Sequence, residues 1–232
     1  DSNAVFVRDS LQGFDCVVFH SIGTVADTMK GFDPRHESNY NKIWKSVPFL
    51  NALGKNVKNV LTFQSDAWFP PKGKFKTEWL HLDYIGAPWC HEGNWGYLDI
   101  DARPPEAARM LHDTRKIPYE VRVGNGGVSL RNFQVLKKIA REHAGNTSAQ
   151  ENEDVFYVSY LHAENYKVGS ISEATEFGLE VMCKDIVQHQ SYLSGRFKDA
   201  PVPFLLHKPF DIFTQMHQRG EVDYESFLNF FF

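Results

Sequence analysis

The sequence contains few cysteines, and their positions exclude two common uses of this residue. Cys16, Cys90 and Cys183 are the three cysteines in 232 residues, and they lie far apart. They fit neither a paired disulfide framework nor a CxxC metal site. We therefore expect reduced cysteines and a cytoplasmic location.

Long apolar runs and an excess of basic residues are also lacking. No stretch approaches the ~20 apolar residues that a membrane-spanning helix requires, and no signal-peptide pattern opens the chain. The formal net charge of −4 argues against general nucleic-acid binding, because such binding needs a basic face. We expect no membrane span and no nucleic-acid partner, whereas a small anionic ligand needs only a few local cations or a metal ion.

The composition is sufficient for one large domain. Of the 232 residues, 42% are apolar and 14% are aromatic, which provides a sizeable core. Residues 1–4 resemble a cloning remnant, so we expect the domain over residues 5–212. Residues 213–232 are interpreted as a C-terminal helical extension or as the start of a linker to further domains of a longer polypeptide.

Periodicity in the first part of the chain predicts an α/β unit. Apolar, β-branched runs predict strands over residues 14–23 and 57–63. Between them, Tyr40 and Trp44 have helical spacing, which predicts a helix over residues 36–53. A strand, a helix and a strand in this order favour an α/β fold with a mixed, mostly parallel central sheet flanked by helices.

The second part of the chain has clearer helix signals. Residues 132–144 predict a helix capped by Asn132, and residues 151–164 predict another with acidic residues in its first turn. Residues 82–89 predict a short strand that enters a turn, and residues 201–211 begin with an apolar, strand-like run.

A glycine cluster in "VGNGGVSL" permits three interpretations. A dinucleotide-binding loop is disfavoured, because the residues that follow look extended and no acidic residue ends a strand about twenty positions later. The glycines could instead form a tight turn or a bulge. In a sugar-binding loop, Asn125 would present its amide to hydroxyl groups, while Gly126 and Gly127 would let a sugar ring approach closely.

Two segments compete as an aspartate-containing metal motif. One contains Gln64, Ser65 and Asp66, and the other contains Asp99 and Asp101 in a literal DxD. A cation that bridges a nucleotide diphosphate needs rigid oxygen ligands at a strand end, and the first segment follows a convincing strand. We therefore favour Asp66, although a strand end with an ordinary polar turn explains the same residues.

Two histidines follow predicted strands. His20 and Ser21 end the strand at 14–23, and His207 precedes Lys208 after the apolar run near residue 205. A lone histidine is more often an ordinary hydrogen-bonded residue than a ligand. A histidine next to a lysine nevertheless suits a diphosphate–metal site, because imidazole nitrogen binds cations and ammonium neutralises phosphate.

Six segments in a fixed order resemble a known family. The chain is similar to the GT-A glycosyltransferases, and most of all to short bacterial and viral domains, among them domains that glycosylate a viral major capsid protein. Glutamine stands at position 64 where the family has the first aspartate of its metal motif. The six segments are "FQSDAWF", "DYIGAPW", "VGNGGVSLRN", "ENEDVF", "EATEFGLE" and "PFLLHKPF".

The resemblance implies a GT-A fold, a UDP-sugar donor, Mn²⁺ or Mg²⁺, and a glycan or glycoprotein acceptor, such as a viral capsid glycoprotein in the host cytoplasm. Asp66 and His207 would bind the metal ion. Glu153 and Asp154 would face the acceptor, and one of them would act as general base if the reaction inverts configuration. The residues assigned to donor binding are His20, Ser21, Gln64, Ser65, Asn125, Gly126, Gly127 and Lys208.

Two other functions use similar residues. A non-catalytic nucleotide-sugar or glycan binding module could keep the fold after the loss of the aspartate at position 64. A sugar nucleotidyltransferase also combines a metal ion, a nucleotide and a sugar on an α/β sheet. The sequence does not identify the sugar, the acceptor or the stereochemical course.

Overall fold

The structure is a computed structural model that describes most of residues 37–89, 122–146 and 152–218. Within these ranges residues 55, 65, 181–182, 184–185, 195 and 197–198 are not described, whereas residues 225 and 229 are. The predicted strand at 14–23, with His20 and Ser21, lies outside the described residues. The same holds for Ser65 and for the rival motif of Asp99 and Asp101.

The predicted helix over residues 36–53 is two consecutive helices. Helix α1 covers Glu37–Trp44, and helix α2 covers Val47–Ala52. Ser46 separates them, because its extended backbone and its side-chain oxygen cap the start of α2. Pro48 is tolerated in the first turn of α2, and Gly54 follows that helix with φ of 121°.

The described strands are short and form two three-stranded sheets. The first sheet has the order β1-β4-β3, and the second has the order β2-β6-β5. The strands are β1 (Asn59–Phe63), β2 (Ala67–Trp68), β3 (Tyr84–Gly86), β4 (Val128–Asn132), β5 (Gly178–Leu179) and β6 (Leu205–His207).

The described strands do not form a mostly parallel sheet. Both pairings of the first sheet are antiparallel, because β4 lies between β1 and β3 and runs against each of them. In the second sheet β6 is antiparallel to β2 and parallel to β5. The glycine cluster before β4 therefore leads into the central strand of an antiparallel sheet. The mixed α/β class is confirmed for the described part, and the predominantly parallel sheet is not.

Helix α3 confirms its predicted capping. It covers Phe133–His143, and the Asn132 side chain accepts hydrogen bonds from the backbone N–H groups of Gln134 and Val135. The later helices are α4 (Glu153–Ala163), α5 (Ile171–Phe177), α6 (Gln190–Leu193) and α7 (Pro209–Gln218). Short 3₁₀ turns cover Thr77–His81, Ala144–Asn146 and Val187–His189.

The first sheet separates two apolar clusters. Tyr84 packs with α1–α4 on one face, whereas Ile85 packs with α5 on the other, as the alternation of side chains along a strand requires. On β4, Val128 and Leu130 join the second cluster. Arg131, the next residue along β4, is directed toward the face of the first cluster, where its guanidinium group lies over the rings of Trp44 and Tyr84. Arg131 therefore places a buried cation on the face of the sheet that α1–α4 cover.

Two predictions based on absent features have different outcomes. None of the described helices combines the length and apolar character needed to cross a membrane. Cys183, however, is buried and disulfide-bonded. The expectation that the cysteines form no disulfide is therefore wrong. The cytoplasmic location loses that support, because disulfides persist mainly in oxidising compartments.

Candidate active site

Segments that are distant in sequence line one cavity of about 310 Å³. It lies where the end of β1, the loop before β4, the start of α4 and the ends of β5 and β6 come together. Eight of the predicted site residues line it: Gln64, Asn125, Gly126, Gly127, Glu153, Asp154, His207 and Lys208. Asp66 lies directly beside it, in contact with His207.

The second sheet determines which side chains surround His207. It ends the central strand β6, and its backbone lies opposite Ala67 of the antiparallel strand β2. On the other side, β5 runs parallel to β6 and pairs Leu179 with Leu206. Asp66 immediately precedes β2 and Glu180 immediately follows β5, so the two neighbouring strands bring one carboxylate to each side of the histidine.

The imidazole of His207 contacts oxygen atoms at both ring nitrogens. Nε2 lies 2.9 Å from Gln64 Oε1 and 3.3 Å from Asp66 Oδ1. Nδ1 lies 3.0 Å from Glu180 Oε1, at an ion-pair distance but without the alignment of a straight hydrogen bond. His207 is 2% exposed, whereas the side chain of Asp66 is 48% exposed. The buried ring is therefore held beside an accessible carboxylate.

These atoms fit the metal site that the resemblance implies. Two oxygen atoms, from Gln64 and Asp66, lie within 3.3 Å of one imidazole nitrogen. Oxygen and imidazole donors suit Mn²⁺ and, with more oxygen ligands from water or phosphate, Mg²⁺. The exposed Asp66 leaves room for a ligand that completes the shell.

Lys208 and Glu180 extend this side of the cavity. Lys208 adopts a left-handed backbone with φ of 52°, an uncommon conformation for a non-glycine residue that often occurs at functional sites. Its Nζ atom lies 3.4 Å from Glu180 Oε1, and its backbone N–H donates to the carbonyl oxygen of Asp66. We call Gln64, Asp66, Glu180, His207 and Lys208 the His207 wall.

Glu180 was not predicted as a site residue, although it lies in the segment "EATEFGLE". The carboxylate contacts His207 and Lys208 and accepts a hydrogen bond from the Asn125 side-chain amide. Burial alone would raise the pKa of Glu180, but the adjacent His207 imidazole and the Lys208 ammonium group outweigh burial and lower it. Glu180 therefore remains a carboxylate that joins three predicted site residues.

The opposite side of the cavity rests on a buried ion pair that the sequence did not reveal. Arg131 is fully buried, and its two terminal nitrogens donate to the two oxygens of Glu153 at 2.7 and 2.9 Å. One of these nitrogens also donates to the carbonyl oxygen of Gly126 at 3.2 Å, and Nε donates to Ser129 Oγ at 2.7 Å. We call Gly126, Arg131, Glu153 and Asp154 the Arg131 wall.

Glu153 and Asp154 were predicted as one acidic pair, but they have different environments. Glu153 is 2% exposed and its carboxylate is bound by Arg131, so it serves as the counter-ion of a structural cation. Asp154 is partly exposed; one carboxylate oxygen accepts from the N–H of Gly126 at 3.0 Å and the other from the N–H of Val155 at 2.7 Å. Burial, followed by the charge of Glu153, raises the pKa of Asp154 to about 7.

The space beside Gly126 and Gly127 is filled by protein atoms. A Cβ atom at Gly126 would lie 2.2 Å from Glu153 Oε1, and one at Gly127 would lie 2.2 Å from His207 Cε1. From the sequence, a sugar ring was expected to lie against these two glycines. The structure shows that the two glycines allow the two walls to approach the loop.

The amide of Asn125 also has protein partners. Its oxygen accepts from the N–H of Val128 at 3.2 Å, and its nitrogen donates to Glu180. The amide was expected to face sugar hydroxyls, and instead it fixes the loop to the start of β4 and to the His207 wall. Tyr40 and Trp89, which were not predicted as site residues, add aromatic surface to the cavity.

A second cluster of ligand-type residues lies on the surface of α3. Ligand atoms of Glu142, His143 and Glu164 lie within 4.8 Å of one another. Lys138 Nζ, however, is 3.0 Å from a carboxylate oxygen of Glu142 and 2.9 Å from one of Glu164. An ammonium group already occupies the position of a cation there, so we assign this cluster to surface ion pairing.

Comparison with known proteins identifies a family. The model of the family described as "Protein of unknown function (DUF5672)" matches residues 26–194. The matched range includes Asp66, Arg131, Asp154 and Glu180 and ends before His207. No curated protein and no solved structure matches the chain.

Proposed function

We propose that this chain, which belongs to the DUF5672 family, is a metal-dependent glycosyltransferase with a GT-A fold. It transfers a sugar from a UDP-sugar to a hydroxyl group of a glycan. One observation carries the proposal: a carboxylate, an imidazole and an ammonium group lie on one wall of the cavity, and a second carboxylate with a raised pKa lines the opposite wall.

The His207 wall supplies the donor side. Asp66 and His207, with Gln64 as a neutral oxygen donor, would hold Mn²⁺ or Mg²⁺. When bound, the cation neutralises the diphosphate leaving group. The exposed ammonium group of Lys208 lies on the same wall and can pair with phosphate oxygens. A site with one metal-binding carboxylate fewer than the family motif depends more strongly on the donor diphosphate to complete the shell.

The Arg131 wall supplies the acceptor side. Asp154 lines the cavity, whereas both carboxylate oxygens of Glu153 are bound by Arg131. A carboxylate with a pKa near 7 accepts a proton from an acceptor hydroxyl more efficiently than one with an ordinary pKa. We therefore assign the general-base role to Asp154 for an inverting reaction. In a retaining reaction the departing phosphate accepts the proton.

The test begins with a panel of nucleotide sugars, each with Mn²⁺ or with EDTA. Ligand binding to the native state raises the melting temperature by mass action, so the correct donor shows the largest metal-dependent shift. That donor is then incubated with glycan acceptors, and free UDP and glycosylated product are measured. Metal-dependent formation of both supports the proposal.

Two variants sharpen this test. Asp154→Asn should keep the donor-dependent thermal shift and, if the reaction inverts configuration, lose turnover, whereas Glu142→Gln on the surface of α3 should keep both. Donor binding without any turnover would identify a binding module instead. Release of pyrophosphate from UTP and a sugar phosphate would identify a nucleotidyltransferase.

A further inference from the structure

We propose that Glu180 is a positioning residue that holds the His207 ring with Nε2 turned toward Asp66 and Gln64. The role of Nε2 as a metal ligand rests on the proposed function. The orientation of the ring is a property of the protein alone, so it can be tested separately.

The strand register gives Glu180 this position. Glu180 immediately follows β5, whose parallel pairing sets Leu179 beside Leu206, and Glu180 therefore lies beside His207. The side chain of Glu180 is 14% exposed, so it is held within the wall and does not move freely in solvent. Lys208 and Asn125 contact the same carboxylate and hold it in place.

Three contacts define the orientation of the imidazole. Glu180 Oε1 lies 3.0 Å from Nδ1, and Gln64 Oε1 lies 2.9 Å from Nε2. Gly127 packs so closely on the ring that a Cβ atom there would lie 2.2 Å from Cε1. The ring therefore has protein atoms at both nitrogens and against Cε1. Two carboxylates therefore face the ring, Glu180 at Nδ1 and Asp66 at Nε2, and Glu180 is the nearer and the more buried of the two, at 3.0 against 3.3 Å and 14% against 48% exposed.

A carboxylate at Nδ1 has a defined chemical effect on Nε2. The partner of one imidazole nitrogen determines which nitrogen carries the proton, and a buried carboxylate attracts that proton more strongly than an amide oxygen or an exposed, solvent-screened carboxylate does. With the proton at Nδ1, the lone pair of Nε2 is free to bind a cation. Carboxylate partners of this kind orient metal-binding histidines and raise their basicity.

The first experiment uses the metal-free protein. Side-chain ¹⁵N NMR at pH 8 is recorded for the wild type, Glu180→Ala, Glu180→Gln and the surface control Glu142→Ala. The His207 signals are assigned as those missing from His207→Gln. We expect a protonated Nδ1 in the wild type and in Glu142→Ala, and a proton shifted to Nε2 in Glu180→Ala. In Glu180→Gln the shift should be smaller, because the amide keeps an oxygen acceptor beside Nδ1.

The second experiment measures Mn²⁺ affinity in the presence of UDP. Loss of a partner of a metal-binding histidine typically weakens metal affinity about 10–100-fold, and we expect this loss in Glu180→Ala with partial recovery in Glu180→Gln. Circular dichroism checks the fold of each variant. If Glu180→Ala does not fold, the tautomer and the Mn²⁺ affinity of Glu180→Gln test the positioning role, because this variant removes the charge and keeps the shape of the side chain.

The outcomes separate this inference from the proposed function. An unchanged His207 tautomer in both Glu180 variants would overturn the positioning role even if the wild type binds Mn²⁺. A wild type that binds no Mn²⁺ with UDP would overturn the proposed function. In that case the tautomer shift would still support Glu180 as the residue that orients His207.

Discussion

The two walls of the cavity use charge in opposite ways. On the Arg131 wall, the cation and Glu153 are both buried and satisfy each other with two hydrogen bonds. On the His207 wall, Asp66 and Lys208 are exposed; Lys208 lines the cavity, and Asp66 lies beside it in contact with His207. The buried Arg131–Glu153 pair therefore stabilises the loop at Gly126, whereas the exposed charges of the His207 wall are available to bind a ligand.

This difference identifies which carboxylates can act on a substrate. Glu153 and Asp154 are neighbours in sequence and both line the cavity, yet Arg131 binds only the first. Removing a carboxylate from the Arg131 pair should damage the fold, whereas removing one from the His207 wall should damage binding. The following four predictions test this contrast, from the largest expected effect to the smallest.

Arg131→Met should cause the largest loss of stability. It leaves Glu153 as an uncompensated buried charge, and breaking a buried ion pair costs about 3–5 kcal/mol. The free energy of unfolding from urea titration measures this loss. The surface control Lys138→Ala should cost about 1 kcal/mol or less. The double variant Arg131→Met with Glu153→Gln should recover part of the loss, and equal losses for Arg131→Met and Lys138→Ala would contradict a structural role.

Asp66→Ala should remove the metal-dependent stabilisation by UDP and leave the stability of the free protein unchanged. At a ligand concentration of 100 times Kd this stabilisation is about 2.7 kcal/mol, and the thermal shift should disappear. The exposed carboxylate has few partners to lose on substitution. Asp99→Ala, in the rival motif, is the control and should keep the shift. The reverse ranking of the two variants in calorimetric titration would show that Asp66 is not the metal ligand.

Gly127→Ala should affect both stability and metal binding. The added Cβ would overlap the His207 ring, and overpacking of this kind costs about 1–3 kcal/mol. Because the ring must move, Mn²⁺ affinity should also fall. Gly145→Ala is a matched control, because a Cβ atom there has no neighbour within 4 Å. If both variants match the wild type in urea titration and Mn²⁺ binding, the close contact does not constrain the site.

Asp154→Asn should change the pH dependence of stability. The pKa of Asp154 is raised from 3.8 to about 7, so between these values the folded state keeps a proton that the unfolded state releases. The free energy of unfolding of the wild type should therefore fall as the pH rises from about 4 to about 7, and Asp154 contributes to that fall. In Asp154→Asn this contribution is absent, and stability at pH 8 relative to pH 5 should improve. Parallel curves for both proteins would show that Asp154 has an ordinary pKa.

Local signals predicted the elements on which the site is built. The Asn132 cap and the apolar spacing that follows it predicted α3, and the acidic first turn predicted α4; both are confirmed. The pairing of strands was not predictable in the same way. Strands β2 and β5 have two residues each, which is too short for a periodic pattern.

The partners of the site residues depend on this non-local pairing. Glu180 becomes a neighbour of His207 through the register of β5 and β6, and no feature of its own segment indicates this. Arg131 was not predicted as a site residue, and its importance comes from burial against Glu153. The glycine cluster was recognised as a site of close approach. The approaching groups, however, come from α4 and β6, which lie later in the chain.

The contact between Gly127 and His207 also constrains how relatives of this chain can vary. The two residues occupy one volume, because the imidazole fills the position that a Cβ atom would take. In an alignment of family members that extend through β6, the two columns should therefore change together. A chain with a side chain at position 127 should have a smaller residue at position 207, and such a chain would bind its cation with a different set of ligands.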